Sequence, residues 1–152
     1  MNQLTLQKSQ WINKPVSEVF AFFSEAQNLE RITPPYLQFK ILNTSTKGIT
    51  KNTLIDYRLK LHGIPFHWKT RINDFIPNKM FIDEQLKGPY KKWVHTHSFK
   101  EKDGGTLIED NVIYEIPGGI VGEFLLKSYI KKDLEKIFTY RQEIIKEIFK
   151  ES

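Results

Sequence analysis

Residues 79–99, KMFIDEQLKGPYKKWVHTHSF, decide the fold of this chain, because they predict two strands joined by a turn at residues 88–90. Side chains in a strand alternate between its two faces, so every second residue shares a face. One face then holds Phe81, Asp83 and Gln85 on the first strand, and Trp93, His95, His97 and Phe99 on the second. Aromatic faces are normally buried, and burying carboxylate, amide and imidazole groups is costly unless they are paired or used. The pattern therefore predicts a polar site inside an aromatic interior.

The length and composition are typical of one globular domain spanning residues 1–152. The chain is 39% hydrophobic and has no cysteine, which excludes a disulfide framework and thiolate chemistry. No apolar run approaches the roughly 18 residues that span a bilayer, and the N-terminus lacks the layout of a signal peptide. We therefore expect a cytoplasmic protein with no membrane span.

The net charge of +5 raises the question of a nucleic-acid partner. The lysines are scattered, with doublets only at Lys91-Lys92 and Lys131-Lys132, and no arginine-rich stripe accompanies them. This distribution favours a solvated lysine-rich surface, and we expect no nucleic-acid partner.

The remaining pattern predicts one strand, two short helices, six strands and a long helix, in that order. A first strand covers residues 3–11, and two short helices lie between Pro15 and residues 33–35. The six further strands are predicted at residues 37–45, 53–61, 66–75, 80–86, 92–100 and 106–116. Their short connections indicate an antiparallel meander. From Ile120 onward, apolar spacing predicts one amphipathic helix.

A sheet that curls around a single helix leaves a cavity between the two, and such clefts bind ligands. This order, with PVSEVFAFF at residues 15–23, resembles the START-like superfamily (SRPBCC, pollen-allergen-like). The resemblance implies an α+β helix-grip fold, with a curved antiparallel sheet of about seven strands around the C-terminal helix. It also implies a single START-like domain that binds a ligand in its interior.

Four further motifs resemble one bacterial branch of that superfamily, described as cyclase/dehydrase-like or cell-division-inhibitor-like. They are NLERITPPYLQFKI (28–41), LIDYRLKLHGIPFHWKTRI (54–72), FIDEQLKGPYKKWVHTHSF (81–99) and GGTLIEDNVIYEIPGG (104–119). In that branch the domain also occurs joined to a sugar-epimerase-like nucleotide-binding domain, which these 152 residues do not include. The resemblance therefore implies a fold more directly than an activity.

Apolar, proline-containing connections gather at one end of the predicted meander. They contain Pro35, Tyr36, Ile64, Phe66, Pro89 and Tyr90. Exposed apolar loops of this kind are typical of a pocket mouth or a docking surface. Ordinary packing that plugs the end of the sheet is the alternative.

Hairpin register predicts which polar groups face one another. It places Asp83 opposite His95 and His97 opposite Asp110, so two carboxylate–imidazole pairs are expected. Such pairs fix the imidazole tautomer and raise its basicity, as a general base requires. They also serve as a self-satisfied buried network or as ligand-recognition groups. The sequence leaves these three roles open for the four residues.

Around this polar group, the same register predicts a ligand-binding wall. Its members are Tyr57, Trp68, Thr70, Gln85, Trp93, Tyr114 and Phe124. Their alternative role is that of ordinary core residues. The leading prediction is therefore the binding or carriage of a small hydrophobic molecule, such as a lipid, polyketide or quinone-like compound.

Two other functions remain open at this point. One is a cyclase or dehydratase that uses a carboxylate-backed histidine, and the other is a docking module for a partner enzyme. No nucleophile elbow or phosphate-binding loop appears in the sequence. A metal site is not expected, because each paired imidazole already has a carboxylate partner while His62 lies in a turn and His67 faces the other way. No cofactor is expected either.

Overall fold

Seven antiparallel strands curve around a long C-terminal helix in this computed structural model, which describes residues 3–150. The strands are β1 (Leu4–Ile12), β2 (Lys40–Thr44), β3 (Leu54–Leu61), β4 (Ile64–Ile76), β5 (Met80–Lys87), β6 (Lys92–Lys102) and β7 (Gly105–Glu115). The helices are α1 (Val16–Phe23), α2 (Gln27–Arg31) and α3 (Gly119–Ile148). Strands β2 to β7 form a meander, and β1 pairs with β7. The predicted α+β helix-grip architecture is confirmed.

Local backbone geometry explains where the predicted boundaries shift. Residues Pro35–Leu37 form a 3₁₀ turn and Gln38 has a φ of 47°, so β2 begins at Lys40 rather than at residue 37. His62 and Gly63 both have positive φ, which is the signature of a two-residue hairpin turn. The turn is therefore tighter than predicted, and β4 already begins at Ile64.

Two apolar clusters flank the concave face of the sheet. The first joins α1 to the end of α3, and Phe20 packs edge-on against Phe75, Phe81 and Phe99 at 5.1–6.1 Å between ring centroids. The second cluster includes Trp68 on β4, which packs edge-on against the indole of Trp93 on β6. Edge-to-face packing is a favourable arrangement for aromatic rings. A cavity lined by residues of both clusters lies where they meet.

The two halves of α3 differ in burial. Its second half buries Leu134, Phe138 and Ile145, whereas Ile120 is 79% exposed and Phe124 is 86% exposed. At 1.5 Å per residue the 30-residue helix is about 45 Å long, longer than the roughly 27 Å of an eight-residue strand such as β3 or β5. The predicted amphipathic helix is present, but the apolar residues of its first turns are exposed. Among residues 3–150, no helix is long and apolar enough to cross a membrane.

Candidate functional site

A cavity of about 160 Å³ lies between the concave face of the sheet and α3. Aromatic residues from β3, β4 and β6 form one wall, and α3 forms the opposite wall with Leu134 and Phe138. Leu29 on α2 and Ile32, directly after it, also line the cavity. Most other lining residues are apolar, and the charged or imidazole groups among them are Asp83 on β5, His95 and His97 on β6, and Arg141 on α3.

The polar lining is built around two stacked imidazoles on β6. The rings of His95 and His97 lie 3.6 Å apart between centroids, and Phe81 stacks on the outer face of His97 at 4.2 Å. His97 Nε2 donates a hydrogen bond to Asp83 Oδ2 at 2.6 Å. His95 Nε2 donates a hydrogen bond to Asp110 Oδ1 at 2.8 Å. Because both partners are carboxylates, Nε2 carries the proton in each ring.

The backbone register of these residues is as predicted, but the side-chain pairing is not. Asp83 is the cross-strand neighbour of His95, and Asp110 is that of His97. Each carboxylate nevertheless bonds to the other histidine, which stands two residues away on the same face. The twist of the sheet brings such diagonal neighbours within reach of each other. The expected pairs Asp83–His95 and His97–Asp110 are therefore wrong as hydrogen bonds.

Burial and neighbouring charges set the protonation states of the cluster. Burial acts to raise the pKa of Asp110, but Arg141 and His95 hold it well below its ordinary value. Burial also opposes ionisation of Asp83, whereas the hydrogen bond from His97 lowers its pKa. Both carboxylates are thus ionised at neutral pH.

The basicity of His97 differs from the prediction. Burial, followed by the adjacent His95, lowers the pKa of His97 to about 4, and the carboxylate of Asp83 only partly opposes this change. The carboxylate partner therefore does not make His97 more basic than usual. At neutral pH its unprotonated Nδ1, which has no hydrogen-bond partner among residues 3–150, is an acceptor.

Arg141 is a member of the site that sequence reasoning missed. Its side chain lines the cavity from α3, is only 11% exposed, and has Nη2 at 3.6 Å from Asp110 Oδ1. The guanidinium also lies 5.5 Å from the ring of Phe23. A signal was present, because Leu134, Phe138, Arg141 and Ile145 follow helical spacing. A charged residue in that buried stripe indicates a partner inside the fold.

The predicted ligand-binding residues divide into two groups. Tyr57, Trp68, Thr70 and Trp93 line the cavity, and so do His95, His97 and Asp83 from the predicted catalytic group. Asp110 is not part of the cavity lining, and it accepts a hydrogen bond from His95 Nε2. The roles of these residues in binding or catalysis stay predictions.

Three predicted wall residues do not line the cavity. The Gln85 amide is used in the turn after β5, where it donates to the carbonyl of Tyr90 at 2.7 Å and accepts from the Tyr90 N–H at 3.1 Å. Tyr114 is buried against Trp93, away from the cavity. Phe124 is exposed on the first turns of α3. Placing these three residues in the ligand-binding wall was therefore wrong.

The predicted mouth residues also separate. Tyr90 lines the cavity, whereas Tyr36 and Ile64 are 48% and 60% exposed. Pro35 is exposed, and Phe66 and Pro89 are half-buried. The docking of a partner enzyme at these residues stays a prediction.

Asp83, His95 and His97 bring potential metal-ligand atoms within 4.8 Å of one another. Nε2 of each imidazole and Asp83 Oδ2 are already hydrogen-bonded, so a metal that used these atoms would have to displace those bonds. The arrangement fits a hydrogen-bonded network better than a ligand set, and no metal enters the function proposed below.

Comparison with known proteins places this site in a family context. A family model described as "Polyketide cyclase / dehydrase and lipid transport" matches residues 12–138. The chain belongs to the polyketide cyclase/dehydrase and lipid transport family. No curated protein matches the chain in sequence.

Solved structures share the fold of this chain. The di-domain ARO/CYC StfQ from the steffimycin biosynthetic pathway is similar to the chain with a TM-score of 0.78 and 11% identity, over 98% of this chain and 51% of StfQ. KanY (ms6282) is similar with a TM-score of 0.75 and 17% identity, over 99% of both chains. At these identities the likeness shows the fold alone.

A third neighbour is the nucleoside-diphosphate sugar epimerase from Corynebacterium glutamicum. It shares 27% identity with the chain and a TM-score of 0.57, over 70% of this chain and 24% of the epimerase. The resemblance thus covers about a quarter of that longer protein.

Proposed function

We propose that this protein binds a small, largely apolar molecule in the cavity beneath α3, with the histidine–aspartate cluster as its polar end. The observation that carries the proposal is a cavity of about 160 Å³ with mostly apolar walls and a polar cluster at one side. Ligand sites typically combine an apolar lining with a few convergent polar groups. The family description, which includes lipid transport, supports the same class of function.

The cavity volume limits the size of the ligand. An apolar cavity of about 150 Å³ holds a molecule of roughly the size of benzene. The 160 Å³ measured here therefore suits a compact ring system, and a longer lipid requires α3 or the loops to move outward. A compact cyclic compound is the simplest occupant.

The protein purified under gentle conditions is expected to carry a stoichiometric small molecule, because apolar cavities retain ligands that match them. Native mass spectrometry should show an added mass that disappears on denaturation, and solvent extraction should release the compound. Adding the extracted compound back to ligand-free protein should change the fluorescence of Trp68 and Trp93, which line the cavity.

A matched variant makes the fluorescence experiment specific. Trp11 is 44% exposed and lies outside the cavity lining, so Trp11→Phe removes the third indole from the signal. A fluorescence change that vanishes in Trp11→Phe, or an extracted compound that binds equally well to denatured protein, would contradict binding in the cavity.

The second candidate function is acid–base catalysis on a carbonyl compound. Its supporting observation is His97, which lines the cavity and has an unpartnered Nδ1 while Nε2 is held by Asp83. A positioned base of this kind can remove a proton next to a carbonyl. The low pKa of His97, about 4, makes it a weak base and favours binding as the leading proposal.

If the site is catalytic, His97→Gln should lower the rate at which the protein exchanges the α-protons of cyclohexanone for deuterium by roughly 10²-fold or more. Proton NMR in D₂O measures that rate. His67→Gln is the matched control, because His67 pairs with Asp56 at 2.9 Å on the exposed face of the sheet. Equal exchange rates in the wild type and both variants would remove the catalytic candidate.

A further inference from the structure

The guanidinium of Arg141 has unused hydrogen-bonding capacity at the cavity wall. Its Nε and Nη2 atoms are buried and have no hydrogen-bond partner among residues 3–150. The carboxylate oxygen that faces it, Asp110 Oδ1, is 3.6 Å from Nη2, beyond hydrogen-bond distance, and already accepts a hydrogen bond from His95. Leaving buried donors unpaired is costly, so these N–H groups call for an acceptor.

The two unpartnered atoms define the shape of that acceptor. Nε–H and one N–H of Nη2 lie on the same edge of the planar guanidinium and point in parallel. A carboxylate offers two oxygens at the matching separation and accepts both bonds at once, which is the strongest pairing that arginine makes. The aromatic rings of Phe23 and Phe138 lie 5.5 and 5.8 Å from the guanidinium and offer it no hydrogen-bond acceptor of their own.

We infer that the molecule bound in this cavity is a compact apolar carboxylic acid, whose carboxylate pairs with the Nε and Nη2 edge of Arg141. This inference rests on the proposed function, since it names the chemical class of the ligand in the same cavity. The apolar body of the acid lies against the indoles of Trp68 and Trp93.

Because of the charges around Arg141, we expect the carboxylic acid and its proton to be taken up together. Asp83 on β5 and Asp110 on β7 are ionised, His95 and His97 stand between them on β6, and the buried hydroxyl of Tyr57 on β3 has a raised pKa. With His97 neutral, two carboxylates already face one guanidinium. The bound carboxylate adds a third anion beside the guanidinium, so we expect it to enter together with a proton, and Nδ1 of His97 is the acceptor that can take that proton, 3.5 Å from Asp110 Oδ1.

Three probes that share a phenyl ring test this inference: benzoic acid, the isosteric benzamide, and the smaller apolar toluene. In ¹H–¹⁵N NMR titrations at pH 6, benzoic acid is expected to bind at least tenfold more tightly than benzamide. Its apparent Kd should rise about tenfold for each pH unit between 6 and 8, because the bound state holds one more proton. The Arg141 Nε–H resonance should shift with benzoic acid and stay in place with toluene.

A variant pair isolates the guanidinium. Arg141→Met should weaken benzoic acid at least tenfold and change the affinity for toluene by less than threefold. Arg58→Met is the matched control, because Arg58 lies exposed on β3 between two residues that face the cavity. If Arg141→Met does not fold, the Nε–H resonance of the wild type decides the question by itself.

The outcomes separate this inference from the proposed function. If toluene binds and benzoic acid binds no better than benzamide, the acid assignment is overturned while cavity binding stands. An Nε–H resonance that does not move at saturating benzoic acid overturns the assignment too. If no probe shifts any cavity resonance, the proposed function fails, and the inference fails with it.

Discussion

Replacing Asp110 with alanine is expected to destabilise the protein by about 3–5 kcal/mol, because it removes one partner from a buried set of charges. Asp110 accepts the hydrogen bond of His95 and is the nearest anion to Arg141, at 3.6 Å. The substitution therefore leaves the Arg141 side chain, which is only 11% exposed, without its nearest anion. Urea unfolding followed by circular dichroism measures the change in the free energy of unfolding.

A double variant shows whether the effect arises from the unpaired charge. Adding Arg141→Met to Asp110→Ala should restore at least half of the lost stability, since the apolar side chain needs no counter-charge. Asp56→Ala is the matched control on the exposed face, where loss of the Asp56–His67 pair should cost under about 1 kcal/mol. Strictly additive losses in the double variant would refute a charge-compensation role for Asp110.

Acid is expected to destabilise the wild type by about 3 kcal/mol between pH 7 and pH 4, through His97 alone. The pKa of His97 is about 4 in the fold, below its ordinary value of 6.5, so the unfolded chain binds more protons in that range. The free energy of unfolding therefore rises with pH between 4 and 6.5, and above pH 6.5 the contribution of His97 is fully present. Urea unfolding at each pH gives the free energy of unfolding.

Substitution of the imidazole identifies the group responsible. In His97→Gln the dependence between pH 4 and 6.5 should be flatter by about 3 kcal/mol, whereas His67→Gln should retain the wild-type slope. Below pH 4 both variants should still lose stability, because Arg141 and His95 keep the pKa of Asp110 low in the fold, so the unfolded chain binds more protons there. An unchanged slope in His97→Gln would show that His97 is not buried in its neutral form.

Much of the fold was predictable because its signals are local. The alternation in β6 buries Trp93, His95, His97 and Phe99 on one face, as the sequence pattern predicted. The turn at residues 103–104 sets the register that places Asp110 opposite His97. Period-two patterning and turn residues therefore determined the register and facing of the strands that follow one another as hairpins, without any long-range information.

The errors concern lengths and directions that no local pattern contains. Helical spacing continues through Phe124, but whether the sheet covers that turn depends on how far each element extends in space. Gln85 shares the face of Asp83 in the pattern, yet its amide closes the turn at Tyr90. Side-chain rotamers in such a turn follow from local packing that spacing does not describe.

The amino-acid sequence by itself determined the family, the order of the elements and the face on which Asp83, His95, His97 and Asp110 lie. Only the tertiary structure decided which carboxylate bonds to which imidazole, since sheet twist selects the diagonal partners. It also decided that Arg141, distant in sequence, faces this cluster across the cavity. The physical reason is that patterning assigns a residue to a face, whereas hydrogen bonds and pKa values depend on distances of a few ångströms between elements.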